Sequence, residues 1–151
     1  MTQFIDTIVF TDVDVAADKR DALGTMAHLL ADAQNLDVAE LHAGFMTREA
    51  ESSTGFGNGV AIPHAKVKGL DQPFVGTVTF NTPVEWDALD GQPVDIAIGL
   101  VMPADDPDQV HLKVLSKLAR KLMDDDFIAE LKRVQHDDAG LNDVLQSVLG
   151  A

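Results

Sequence analysis

The sequence predicts a single α/β domain spanning residues 1–151, a mixed β-sheet flanked by helices on both faces. Two β-branched apolar runs, Phe74–Phe80 (FVGTVTF) and Val94–Met102 (VDIAIGLVM), are fenced by Pro73, Pro83, Pro93 and Pro103, which punctuate strands strongly. Helical periodicity precedes and follows them, and short connections between such segments give a sheet covered by helices. With 151 residues and 46% hydrophobic content, the chain can bury one good core, whereas two domains would each be marginal.

In chain order, Ile5–Val15 reads as a short extended segment. A helix follows from about Ala17 to Gln34, with Leu23, Met26, Ala27 and Leu30 on one face and His28 beside that stripe. A second helix starts near Asp37 or Val38, turns Leu41 and Phe45 inward, and ends before the Ser52–Gly59 loop with Arg48 in its last turn. The run Val94–Met102 is apolar enough to be a central strand covered on both faces. Val84–Asp87, with Trp86, is a candidate edge strand. Beyond Pro103, Asp106 is placed as N-cap, Pro107 at the first helical position and Gln109 as the partner in a capping box. Helices near Asp125–Val134 and Ala139–Leu149 complete the chain.

The formal charge of −14 sets this chain against nucleic acid and anionic membrane surfaces, both of which repel it. Aspartate outnumbers glutamate and lysine is sparse. Asp105, Asp106, Asp108 and Asp124–Asp126 cluster near helix ends, a pattern suited to concentrated salt, as in a halophilic cytoplasm; an ordinary acidic bacterial surface is the plainer alternative. No run approaches the roughly 18 apolar residues of a membrane span, and the N-terminus lacks a signal-peptide pattern, so a cytoplasmic protein is expected. The absence of cysteine removes disulfides, thiolate metal sites and a cysteine nucleophile. No motif calls for a metal or other cofactor.

One segment carries chemistry. Thr54, Gly55, Gly57, Asn58 and Gly59 form a glycine-rich loop running into Ala61, Ile62, Pro63 and His64. Glycines permit positive φ and close approach, so successive N–H groups could bind a phosphate without any lysine. Pro63 fixes the backbone before His64 and biases Ile62 toward extended geometry, which places the imidazole at a strand end. A dinucleotide fingerprint would need glycine where Val60 stands, and Gly-Lys-Ser/Thr occurs nowhere, so nucleotide binding is disfavoured. A structural turn beside a surface histidine remains the alternative. Arg48 could present a bidentate fork to a phosphoryl oxygen or simply balance Glu49 and Glu51 in solvent. Lys66 and Lys68, the local cationic cluster, are electrostatic helpers or plain surface residues.

The full string T-G-x-G-x-G-x-A-x-P-H, with Arg48 upstream and His111 in DDPDQVHLKVLSKLARKL, resembles the enzyme IIA domains of the fructose/mannitol type in the phosphoenolpyruvate-dependent sugar phosphotransferase system, including their nitrogen-regulatory relatives. The resemblance covers nearly the whole chain. It implies an α/β sandwich, His64 as the phosphorylated nucleophile, and active-site roles for His111 and Arg48. It also implies phosphoryl transfer from the phosphocarrier HPr to a cysteine of enzyme IIB during sugar uptake, with fructose as the favoured sugar. Such a carrier needs an apolar, shallow rim around His64, for which Phe56 and Ile62 are candidates unless they are core residues. A nitrogen-type regulator and a non-catalytic phosphate-binding module are the other readings.

His111 falls on the helix face shared by Val114, Leu115 and Leu118, where a structural core histidine is the plain alternative to the active-site role. Its place early in a helix after a strand is also where α/β proteins build anion sites. His28, His42 and His136 read as surface histidines without neighbours at metal-ligand spacing.

Overall fold

The computed structural model describes residues 5–16, 18–105 and 109–149, without the side chain of His111. The elements are β1 (Asp6–Val13), α1 (Lys19–Gln34), α2 (Val38–Glu51), β2 (Gly55–Gly57), β3 (Val60–Ala61), β4 (His64–Val67), β5 (Phe74–Val84), β6 (Val94–Pro103), α3 (Val110–Leu122), α4 (Asp125–Val134) and α5 (Asp138–Leu149). One six-stranded mixed sheet has the order β1-β5-β6-β3-β2, with β4 also on β6.

β6 is the central strand, and its sequence explains why. Ile96, Ile98, Leu100 and Met102 face one core, shared with Leu118, Leu131, Leu141 and Leu145 from α3–α5. Val94, Ala97 and Val101 face the other, shared with Leu23, Met26, Leu30, Leu41 and Phe45 from α1 and α2. A strand buried on both faces loses the polar/apolar alternation of a half-exposed one, hence the unbroken apolar run. Helices therefore cover both faces.

The first two helices begin where aspartates accept their orphan N–H groups: Asp18 from Asp21 N (2.8 Å) and Asp37 from Glu40 N (3.2 Å). Asp124 caps α4 in the same way, accepting from Asp126 N at 2.9 Å, and Asp125 and Asp126 sit in that helix's positive first turn. Part of the aspartate clustering is thus local helix chemistry, whatever the salt.

Three expectations change. Val84–Asp87 is no separate edge strand: β5 runs on through Pro83 to Val84, which pairs with Val94, and a register shift between Thr79 and Val84 accommodates the proline. Trp86 beyond it is fully buried. The glycine loop is not irregular either. β2 and β3 pair antiparallel, Gly57 opposite Val60, across a two-residue turn with φ of 57° at Asn58 and 81° at Gly59. Two positive φ values define the type I′ hairpin turn, for which Asn-Gly is the preferred pair. Finally, α3 starts at Val110, with Gln109 itself the N-cap residue in left-handed conformation and no side-chain cap. Gln109 is thus not the third helical residue that the capping box requires; Asp106 and Pro107 lie outside the described residues.

A cationic cavity around His64

β3 and β4 follow one another end to end along one edge of β6 in a single register: Val60 and Ala61 face Ile96 and Ala97, and His64 faces Leu100. The break at Ile62–Pro63 arises because Pro63 has no N–H to donate, although its carbonyl still accepts from Leu100 N at 2.8 Å. His64 is consequently the first residue of β4, half-buried, at the strand end that the sequence indicates.

Close packing of α2 on β4 supplies its neighbours. A Cβ at Gly44 would stand 3.0 Å from Ala65 Cβ, so the glycine lets the helix approach the strand, and the next helical turn brings Arg48 alongside the histidine. Arg48 and His64 share a cavity of about 560 Å³. Thr47 and Glu51 of α2, Lys66 of β4 and Met102 of β6 contribute further walls. Leu112 and Leu115, from the first turns of α3, close the apolar side. His111 is the second residue of that helix, next to Leu112.

Arg48 is aimed by its own helix end: Nη1 donates to Ser52 O at 2.9 Å and to Ser52 Oγ at 3.4 Å. It does not balance Glu49, which is buried and paired instead with Lys19 at 3.1 Å. Two cations, Arg48 and Lys66, thus border the imidazole on a chain of net charge −14. Guanidinium and ammonium are the groups that neutralise a phosphoryl dianion, and the cavity admits one. Lys68 is exposed, and among the described residues it does not line this cavity.

The hairpin stands apart. Thr54, Gly55, Gly57, Asn58 and Gly59 are not among the described residues lining the cavity. Several of their N–H groups are engaged within the protein: Thr54 N donates to Glu49 Oε1 (2.8 Å), Gly55 N to Ser53 Oγ (3.1 Å) and Asn58 N to Asp90 Oδ2 (2.9 Å). Asp90 also accepts from Gln92 N, and the Asn58 bond followed by that one holds its carboxyl below the usual carboxylate range. At the turn, Gly59 O accepts from Asp95 N and Ile96 N, both at 3.0 Å. The geometry makes this segment a clasped hairpin feeding β3, and the cavity lies at the other end of β3–β4. The Asn-Gly pair was the available sequence signal for it.

The rim also differs in its residues. Ile62 is 2% exposed and Phe56 packs on the α3–α5 core, so neither forms the apolar wall; Leu112, 48% exposed, and Leu115 do. His136 lies beside Asp12, with which it makes a close ion pair when protonated. His42 is half-buried against Gly24 and, with His28, borders a second, shallower cavity of about 540 Å³ between α1 and α2. No group of three His, Asp or Glu side chains gathers into a metal site among the described residues, and none of their helices is long and apolar enough to cross a membrane.

Fold and cavity together define an α/β domain that presents His64 beside Arg48 and Lys66 at a strand end. The chain belongs to the family "Phosphoenolpyruvate-dependent sugar phosphotransferase system, EIIA 2", whose model matches residues 4–147. It is 38% identical over 121 residues to a nitrogen regulatory protein of Escherichia coli, covering 80% of this chain and 74% of that one. It is 33% identical over 135 residues to a fructose-specific EIIA component of the phosphotransferase system from Haloferax volcanii, covering 88% and 86%. The crystal structure of the nitrogen regulatory protein IIA-Ntr from Neisseria meningitidis superposes with a TM-score of 0.77 at 29% identity, over 92% and 91% of the two chains. An Escherichia coli complex of mannitol enzyme IIA with phosphorylated enzyme IIB contains the same fold, at TM-score 0.71 and 18% identity over 92% of this chain and 94% of that one.

Proposed function

We propose that the protein is a phosphoryl carrier in which His64 takes a phosphoryl group from phosphorylated HPr and passes it to a cysteine of an enzyme IIB, in the service of sugar uptake, with fructose the favoured sugar. The observation that carries this reading is the meeting of His64 with Arg48 in one cavity. A neutral imidazole nitrogen attacks phosphorus; the new N–P bond forms as the bond to the carrier's leaving group breaks, and the N–P bond stays energetic enough to be passed on. In-line positioning and stabilisation of the three equatorial oxygens are what this transfer requires of a protein. Arg48 and Lys66 supply positive charge there, and His111, early in α3, is the further donor that the family resemblance implies. Thr54, Gly55, Gly57, Asn58 and Gly59 act in this reading through the shape they give the strand, rather than by cradling phosphate.

The test is incubation with phosphoenolpyruvate, enzyme I and HPr, followed by intact-mass analysis and peptide mapping. We expect an acid-labile, alkali-stable modification on His64 alone, and none in His64→Ala. Labelling of His64→Ala as strong as that of the parent would sink the reading. A parent that never becomes labelled leaves the non-catalytic phosphate-binding module.

Nitrogen-type regulation, in which phospho-His64 reports its state by binding other proteins, is the second reading, favoured by the 38% identity to a nitrogen regulatory protein. Onward transfer to a cysteine of a sugar-specific enzyme IIB would separate transport from regulation.

A further inference from the structure

A buried carboxylate with no part in the proposed chemistry links the two walls of the cavity. Glu49 is 9% exposed, follows Arg48 on α2, and turns away from the cavity toward the base of the β2–β3 hairpin. Its Oε1 accepts from Thr54 N at 2.8 Å and from Lys19 Nζ at 3.1 Å; its Oε2 accepts from Thr54 Oγ1 at 2.6 Å. Trp86 Nε1, fully buried, donates to the same Thr54 Oγ1 at 3.2 Å. An indole N–H can only donate, so the threonine hydroxyl accepts from Trp86 and must send its own proton to Glu49. The direction of the chain is fixed, and it ends on a group that has to be an acceptor at both oxygens.

From Thr54 the linkage continues through the backbone. Thr54 O accepts from Ile62 N at 2.9 Å, closing the hairpin base two residues before His64. One carboxylate therefore ties the helix end that carries Arg48 to the strand that delivers His64.

We propose that Glu49 is a positioning residue for phosphoryl transfer, holding the His64 imidazole in register with Arg48 through Thr54 and Ile62. The inference rests on the carrier reading above and adds to it a residue that touches neither phosphate nor partner. Burying a carboxylate is costly unless it is paired and hydrogen-bonded, and an apolar side chain would fill the same space. The carboxylate does what an apolar side chain cannot, since it fixes an orientation. Glutamine at position 49 could keep the bond from Thr54 N, but its amide NH₂ would then face Thr54 Oγ1 and leave the hydroxyl proton without its acceptor.

The experiment compares the parent with Glu49→Gln, Thr54→Val and the double variant Lys19→Met/Glu49→Leu. For each it records the rate of phosphoryl transfer from phosphorylated HPr, the unfolded fraction at the assay temperature, and the NMR signals and pH titration of the His64 ring. Misplacement by about an ångström can cost on the order of 100-fold in rate. We expect Glu49→Gln and the double variant to transfer between about 10- and 100-fold more slowly, with His64 still the labelled residue and its ring signals displaced. Thr54→Val should fall in the same direction by less, since it keeps its backbone bond. Replacing a buried ion pair by apolar groups is often neutral for stability, but Glu49→Leu also strips the acceptor from Thr54 N and Thr54 Oγ1, so the measured unfolded fraction is what separates folding from positioning. If the unfolded fraction accounts for the whole loss of rate, or if ring signals and rate are unaltered, Glu49 is structural only and the proposal is overturned. Should the parent itself accept no phosphoryl group, the carrier reading fails on its own. The ring signals then decide about Glu49: displacement in Glu49→Gln keeps its hold on His64, and unmoved signals overturn it.

Discussion

The hairpin at Thr54–Gly59 and the cavity at His64 lie at opposite ends of the β3–β4 segment along β6, and they differ in how their polar groups are used. In the hairpin, N–H groups end on Glu49, Ser53 and Asp90, and Gly59 packs against Lys132 and Asp95. In the cavity, two cations and an imidazole line a space that admits a small anion. At about 3.3 Å per residue, the distance along β6 from Ile96, which faces the hairpin end, to Leu100, which faces His64, is roughly 13 Å. The contrast teaches that glycine density marks backbone demand, which need not be ligand demand. A turn needs glycine to fold tightly, whereas an anion site needs donors left for the anion.

The sharpest way to break this contrast is to remove a donor that the proposed carrier reading places on the phosphoryl group. Arg48→Ala, and likewise His111→Ala, should slow phosphoryl transfer by on the order of 100-fold, the usual cost of one charge-stabilising donor. The melting temperature should move little in comparison, and rapid-quench transfer assays alongside thermal melts would show it. Unaltered transfer in both directions would return His111 to a core role.

Gly59→Ala should do the reverse. An alanine at φ +81° pays about 1–2 kcal/mol for left-handed backbone, and its Cβ would lie 2.5 Å from Lys132 Nζ and 2.8 Å from Asp95 Oδ1. For a chain of this size, a melting temperature lower by roughly 2–8 °C follows. Transfer measured where the variant is folded should change by far less than for Arg48→Ala. A large transfer defect with an unchanged melting temperature would restore the hairpin as a phosphate loop.

A smaller effect comes from Asp90. Its carboxyl is held below its ordinary value of 3.8, chiefly by the N–H of Asn58. A depressed folded-state pKa adds stability that is present above the ordinary value and lost as pH falls through the folded one. Asp90→Asn should therefore flatten the acid limb of the stability curve below about pH 4 and leave transfer at neutral pH unaltered. Chemical denaturation at several acidic pH values would test this.

The smallest and broadest effect is salt. If the −14 charge reflects a saline cytoplasm, stability should keep climbing as the Debye length falls from roughly 10 Å at 0.1 M to about 3 Å at 1 M. A flat or falling melting temperature in molar potassium chloride would mark an ordinary acidic protein. The capping roles of Asp18, Asp37 and Asp124 reduce the share of aspartate that salt has to explain.

Sequence by itself determined the helices α1, α2, α4 and α5 and the central strand, because periodicity and an unbroken apolar run are local consequences of which faces are buried. It also determined His64 at a strand end, since Pro63 acts on its own backbone neighbours. It left the hairpin unread even though Asn58-Gly59 is a local signal, and it gave Gln109 a capping role that its left-handed backbone does not fill. Tertiary structure alone decided the rest. Which cation stands beside His64, and that Leu112 and Leu115 replace Phe56 and Ile62 at the apolar wall, are contacts between elements well separated in the chain; Glu49 and Thr54 are only five residues apart, but Lys19 and Trp86, which complete their cluster, come from further away. No periodicity encodes them, because each depends on how closely α2 and α3 settle against the sheet.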